Sequence, residues 1–304
     1  MNYAQLILPD FSLILCGYLV CRYTALNGSV WEQVESLVYY FLFPVLLFHS
    51  IVKTPLDMGV AARLMGAAMA LGLVGIALAY ALPHLPLLRR WIDRRDYACS
   101  AQVAFRFNTF IGMAIVERLA GAPGVQLLAI IIGVFTPLVN IGAVWPMARH
   151  AQSGVLRQLL RNPLIIATTS GLLANLLGFT LPSALGPTLS RIGAASLALG
   201  LMAAGAGMHF GALARAKALA TSLLTIRHLL LPVAATGLAR VFALSGAETT
   251  VLLAFSALPT SSACYVLATR MGYDGAYVGG LVAVSTLLGM LSLPLALGGI
   301  LARL

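Results

Sequence analysis

Charge is what this sequence has least of. Only 9% of its 304 residues are charged, against about 25% in a soluble domain of ordinary composition. Acid is scarcer than base: nine Asp and Glu stand against 19 Lys and Arg, a formal net charge of +10. With 60% apolar residues and a mean hydropathy of +0.95, the chain is built for a lipid bilayer. The four cysteines, Cys16, Cys21, Cys99 and Cys264, have neither metal-ligand nor redox spacing, so no metal site, cofactor or disulfide is expected. The basic residues are dispersed, with no basic domain and no aromatic-basic interleaving, which excludes nucleic acid as a partner. The first residues lack the basic start and cleavage site of a secretory leader, so the first apolar run is expected to remain in the mature protein.

What is present is a series of apolar runs, each of a length suited to crossing the ~30 Å hydrocarbon core as a helix. Ten are expected, over 4–21, 32–52, 63–82, 97–118, 124–148, 163–180, 189–209, 217–240, 248–269 and 275–301. The short loops leave no room for a soluble domain between them. Leaving aside Arg106 and Arg227 within spans, the loops 1–2, 3–4, 5–6, 7–8 and 9–10 hold eleven Lys and Arg and the opposite side six. "LRRWIDRRD", Leu88 to Asp96, followed by Arg149, Arg157 and Arg161, makes most of that bias. The positive-inside rule then places both termini on the extracytoplasmic side.

An internal repeat is visible. "NTFIGMAIVERLAGAPG" (Asn108 to Gly124) lies over "PTSSACYVLATRMGYDG" (Pro259 to Gly275) at an offset of 151, matching Thr109 with Thr260, Gly121 with Gly272 and Gly124 with Gly275. A looser match pairs "CGYLVCRY" with "SGLLANLL". A unit of five helices has an odd number of crossings, so its second copy enters the membrane from the opposite side. The fold class expected is all-α and polytopic, with ten transmembrane helices in two inverted five-helix repeats, 1–150 and 151–304. The boundary falls in 149–162, where "RNP" (Arg161 to Pro163) opens the second copy.

Two helices carry breaks at matched positions. Span four has Asn108 and Gly112 near its middle; span nine has Pro259 with Thr260, Ser261 and Ser262. Proline removes a backbone donor, and Asn and Ser compete for backbone groups, so both helices are expected to be discontinuous. Unwound backbone survives in a bilayer only where protein or a watery cavity satisfies it. In inverted repeats the half-helices starting near Thr109 and Thr260 aim their positive ends at one point, an anion-binding arrangement. A packing kink is the plain alternative for either break alone.

Arg106 and Arg227 each lie ~14–15 Å from the nearer end of their span, at 1.5 Å per residue. An intramembrane charge costs at least ~2.5–3.5 kcal/mol and needs a partner. The nine acids, Asp10, Glu32, Glu35, Asp57, Asp93, Asp96, Glu117, Glu248 and Asp274, fall in loops or near span ends. An anionic substrate would supply the missing charge; capping of helix carbonyls is the alternative, most plainly for Arg106 in the turn before its break. His49 and His228, inside spans, carry a coupling proton or pack between helices. Asn140 in "TPLVN" makes an interhelical hydrogen bond or joins the site.

These stretches resemble the auxin efflux carrier family of membrane transporters, with "FLFPVLLFHSI", "RFNTFIGMAIVERLAG", "TPLVN", "RNPLIIA" and "ALPTSSACYVLATRMG" carrying the likeness. The resemblance implies a crossover of broken helices four and nine, in which Asn108 and Pro259 match the family's crossover residues. It implies a scaffold of helices 1, 2, 6 and 7, through which two copies dimerise, and a transport domain of helices 3–5 and 8–10 that moves as an elevator. Its substrates are organic anions: auxins in plants, small carboxylates in bacteria. Two departures count against auxin here: no proline stands at the first crossover, and the long loop after helix five is absent.

The expectation is therefore a secondary transporter of a small organic anion in the bacterial cytoplasmic (inner) membrane. Asn108, Thr109, Pro259, Thr260, Ser261 and Ser262 form the site, Arg106 and Arg227 supply positive potential, and Gly112, Asn140, His49 and His228 stand behind them. The coupling ion, H+ or Na+ if any, is left open. An anion sensor without flux is one alternative. An intramembrane hydrolase pairing Ser261 or Ser262 with a histidine is another, and no nucleophile motif supports it.

Overall fold

The computed structural model describes residues 3–53, 58–86, 88–147, 163–208, 216–261 and 263–300. Ser262 and the expected repeat boundary at 149–162, with Arg149, Arg157 and Arg161, lie outside the described residues. Among the described residues there are helices and turns and no strand. In chain order the α-helices are α1 (Tyr3–Tyr23), α2 (Gly28–Leu37), α3 (Phe43–Lys53), α4 (Met58–Ala81), α5 (Arg94–Ser100), α6 (Thr109–Val144), α7 (Pro163–Leu176), α8 (Gly186–Ala206), α9 (Lys217–Thr225), α10 (Leu231–Val241), α11 (Gly246–Ala257), α12 (Ala263–Arg270) and α13 (Gly275–Leu295). Single π turns join α2 to α3 over Val38–Leu42 and α9 to α10 over Ile226–Leu230.

Among the described residues six helical stretches are long and apolar enough to cross a membrane: Gly28–Lys53, Ala61–His84, Arg94–Val144, Gly186–Ala206, Lys217–Val241 and Gly275–Gly298. Arg94–Val144 combines two of the ten expected runs. They are separated inside α6 at Gly121, whose φ of 59° and ψ of −154° leave the helical region. By contrast α7, at 14 residues, and α11 and α12, at 12 and 8, are each shorter than the ~20 residues that a full span needs.

Local chemistry sets these ends. Asp93 caps α5 by accepting from Arg95 N and Asp96 N, and Ser245 with Glu248 forms a reciprocal capping box at the start of α11. Gly178 (φ 68°) ends α7 four residues before the expected run does, because Phe179 N–H turns back to Ala174 O at 2.9 Å. Gly121 and Gly272, matched by the 151-residue offset, both take positive φ, 59° and 75°. The end of α10 uses the same motif with the wrong residue. Ala243 sits at φ 48°, with Leu244 N–H bonded to Ala239 O at 2.9 Å. A left-handed non-glycine residue costs ~1–2 kcal/mol, and glycine returns part of that as chain entropy. Ala243→Gly is therefore expected to stabilise the protein by about 0.5–1 kcal/mol. The check is its thermal midpoint in detergent, and a fall would refute the strain.

Two groups of helices emerge from the packing. α1 lies along α8, and α3 packs on α7 and α8; α4 packs on α6 and α10, α11 on α6 and α10, and α12 on α13. α6 touches members of both groups. Between α1 and α8 the backbones meet: a Cβ on Gly17 would lie 1.9 Å from Met202 O, and one on Gly205 1.8 Å from Ile14 O. Small residues of this kind let membrane helices approach closely, where packing and not water exclusion drives association.

Candidate functional site

Where α5 ends, the chain tightens into a 3-10 turn over Ala101–Ala104 and leaves helical geometry at 106–108. Asn108 then restarts the helix: its backbone is extended, and its Oδ1 accepts from Phe110 N at 3.1 Å and Ile111 N at 3.2 Å. An N-cap asparagine satisfies donors that a new helix end would otherwise leave bare. At the second expected break α11 stops at Ala257, Leu258 is extended (φ −58°, ψ 147°), and α12 resumes only at Ala263, three residues beyond Thr260. Ser261 Oγ accepts from Ala263 N at 3.2 Å.

The two breaks meet. Asn108 N–H donates to Pro259 O at 2.8 Å, a backbone bond across 151 residues of sequence. Small residues make room for it: a Cβ on Gly112 would lie 2.7 Å from Leu258 Cδ1, and one on Gly289 3.2 Å from the Pro259 ring. Beside the breaks Phe107, Phe135 and Phe255 pack edge to face, with ring centroids 4.5–5.4 Å apart. That is the favoured aromatic geometry.

The arginines divide in role. Arg227, 1% exposed, donates Nε–H to Leu258 O at 2.6 Å and Nη2–H to Phe255 O at 3.1 Å. It thereby gives Leu258 O, just past the end of α11, a donor, and gives Phe255 O a second one beside the N–H of Leu258. Arg106 reaches side chains instead: Nη1 donates to Gln102 Oε1 at 3.0 Å and Nη2 to Asn140 Oδ1 at 2.8 Å. Gln102 Nε2 in turn donates to Cys99 O and Cys264 O, at 2.9 and 3.2 Å, bridging the two broken helices. Neither arginine forms an ion pair among the described residues.

His228, next to Arg227 on the π turn, is bound at both nitrogens. Nδ1 lies 2.8 Å from Ser292 Oγ and Nε2 2.8 Å from Ser285 Oγ. Ser285 Oγ accepts from Thr260 N at 2.9 Å, and Ser292 donates to Ala257 O at 3.3 Å. The hydrolase alternative needed a histidine on Ser261 or Ser262; the partners of this one are the serines of α13.

The fold thus brings Arg106, Asn108, Gly112, Asn140, Arg227, His228, Pro259 and Thr260 into one connected region, with Thr109 and Ser261 half-buried at its edge. His49 is elsewhere. With Lys53 and Ser190 it lines two adjoining cavities of about 450 and 480 Å³. The larger is walled on α6 by Met113, Ala114, Glu117 and Arg118, beginning five residues past Asn108, and neither cavity has Asn108 or Thr260 in its lining. Sequence reasoning missed Gln102, Ser285 and Ser292. Their signal was spacing: Gln102 is one helical turn before Arg106, and Ser285 and Ser292, seven apart, share a face of an apolar helix.

Residues 146–297 match the family model described as "Membrane transport protein". A protein of Methanothermobacter thermautotrophicus bearing the name "Uncharacterized transporter" is 24% identical over 302 residues, covering 97% of each chain. With half its length matched to that model, and with helices, no strand and six membrane-length stretches among the described residues, the chain belongs to the membrane transport protein family of auxin efflux carrier-like transporters.

Proposed function

We propose that the protein is a secondary transporter carrying a small organic anion, a carboxylate, across the cytoplasmic membrane by elevator-type alternating access. The observation that carries this reading is the bond from Asn108 N–H to Pro259 O, which holds two broken helices against each other at a shared point. Ten crossings in two inverted repeats, with both termini extracytoplasmic, account for that meeting, and for positive φ at both Gly121 and Gly272. α1, α2, α3, α7 and α8 form the scaffold, through which two copies pair. α4 to α6 and α9 to α13 form the moving part. α6, which touches members of both groups, lines the larger cavity and is the sliding face.

The charge in that cavity favours an anion: Lys53 and Arg118 face it against one acid, Glu117. From there the carboxylate passes Met113 and Ala114 toward the start of α6, where the helix dipole presents partial positive charge. Arg106, held by two neutral amides, adds a full charge with no ion-pair partner among the described residues. Asn108, Thr109, Thr260 and Ser261 line the site. Movement of an anion without a fixed carboxylate favours uniport down the membrane potential or proton coupling over a sodium site built from acids.

The test is a transient current from purified protein in proteoliposomes on a solid-supported membrane, with a panel of mono- and dicarboxylates and indole-3-acetate. A saturable current for one anion is expected, reduced at least tenfold in Asn108→Ala. Silence to every anion, both as current and as labelled flux, from folded and inserted protein would sink the reading.

A further inference from the structure

With a neutral ring, the hydrogen bonds around His228 permit one consistent assignment of protons. Ser292 has a single hydroxyl proton and places it on Ala257 O, so its oxygen receives a proton from His228 Nδ1. The neutral ring carries only one N–H, which leaves Nε2 bare. Ser285, whose oxygen already receives Thr260 N–H, then donates its hydroxyl to Nε2. Every donor in this chain has one acceptor, and the partner of one ring nitrogen fixes the state of the other.

The ends of this chain are the two lips of the second break. Ala257 is the last residue of α11, and Thr260 lies on the far side of Leu258 and Pro259. All of these groups are buried or half-buried; Thr260 and Ser285 are fully buried. The charged group beside the ring is Arg227, on the same π turn, and its guanidinium is occupied by Leu258 O and Phe255 O. The nearby thiol, Cys264, lies 3.5 Å from Thr260 Oγ1. The π turn is what lets adjacent residues 227 and 228 both serve this break, and such turns occur often at functional sites.

We propose that His228 is a positioning residue for the crossover. As the neutral Nδ1–H tautomer it spans from Ser292 to Ser285 and so fixes the spacing between Ala257 O and Thr260 N–H. It touches no substrate; it sets where Pro259 O stands to receive Asn108 N–H, and therefore where the two half-helices meet. Its importance for transport rests on the crossover being the substrate site, but its geometry is testable without a substrate.

The first experiment is NMR of the full-length protein in nanodiscs with ring-15N histidine, the His228 signals being identified by their loss in His228→Gln. Nδ1 is expected at the protonated position and Nε2 at the unprotonated one; the reverse tautomer overturns the proposal. The second is hydrogen exchange over 257–264. Loss of one hydrogen bond is expected to speed exchange at Thr260 by roughly 2- to 10-fold, in Ser285→Ala and also in His228→Leu, which leaves Ser285 without its anchor. His228→Gln, whose amide retains one donor and one acceptor, is expected to exchange as the native protein does. If Leu and Gln behave alike, His228 only fills space and the brace does not exist. A protein with the expected tautomer and exchange pattern but no anion flux would refute the transport reading and leave the brace standing.

Discussion

Arg227→Met lowers stability by about 1–3 kcal/mol, the cost of leaving the buried Leu258 O bare, while Phe255 O loses one donor and keeps the N–H of Leu258 at 3.4 Å. No water is expected at that depth to replace the lost donors. The measurement is the thermal midpoint and the monodisperse fraction after extraction in detergent. Arg227→Lys should fall between native and Met, because a single ammonium lacks the planar fork that reaches two acceptors. A Met variant as stable as the native protein would show that the carbonyls do not depend on the arginine, and its charge would then be free for a ligand.

Gly205→Val is expected to be at least as damaging locally, because even the first carbon of the new side chain falls 1.8 Å from Ile14 O. The obstacle is backbone, so no rotamer change relieves it and α1 must move off α8. Overpacking a fitted interior costs ~1–3 kcal/mol, and more where the backbone has to shift. Gly17→Ala, 1.9 Å from Met202 O, should act in the same direction. Gly237→Ala in α10 is the control: nothing lies within 4 Å of its Cβ, and it should be neutral or stabilising by up to ~1 kcal/mol through helix propensity. Native midpoints for both Gly205→Val and Gly17→Ala would show that the two helices do not touch as described.

Much of the crossover could be read from residue types, and its limits are instructive. The first restart, expected near Thr109, begins at Thr109, because the asparagine before it caps the new helix with its own side chain, a local effect. At the second break Thr260, Ser261 and Ser262 are all competent caps, and nothing local chooses among them; α12 begins at Ala263. The lack of mid-membrane acid left two readings for each arginine. Arg227 takes carbonyls, while Arg106 takes Gln102 and Asn140, and the second outcome depends on which helix lies opposite. His49 was legible as a buried histidine, but its place on a cavity wall with Lys53 and Ser190 needed the tertiary fold.

The bond between Asn108 and Pro259 also has a consequence for how the protein is made. A membrane protein leaves the ribosome N-terminus first, so Asn108 is in place well before its acceptor has been synthesised. The same is true of Gln102, whose second acceptor, Cys264 O, lies 162 residues further on. Until Pro259 and Cys264 arrive, the first break lacks these acceptors, and in lipid each unsatisfied polar group costs several kcal/mol. The first half of the chain is therefore an unfinished object, unable to close on itself and dependent on the insertion machinery or on bound lipid and water to shelter it. A chain truncated after residue 147 should be short-lived in the cell, because the residues that would satisfy its centre were never translated.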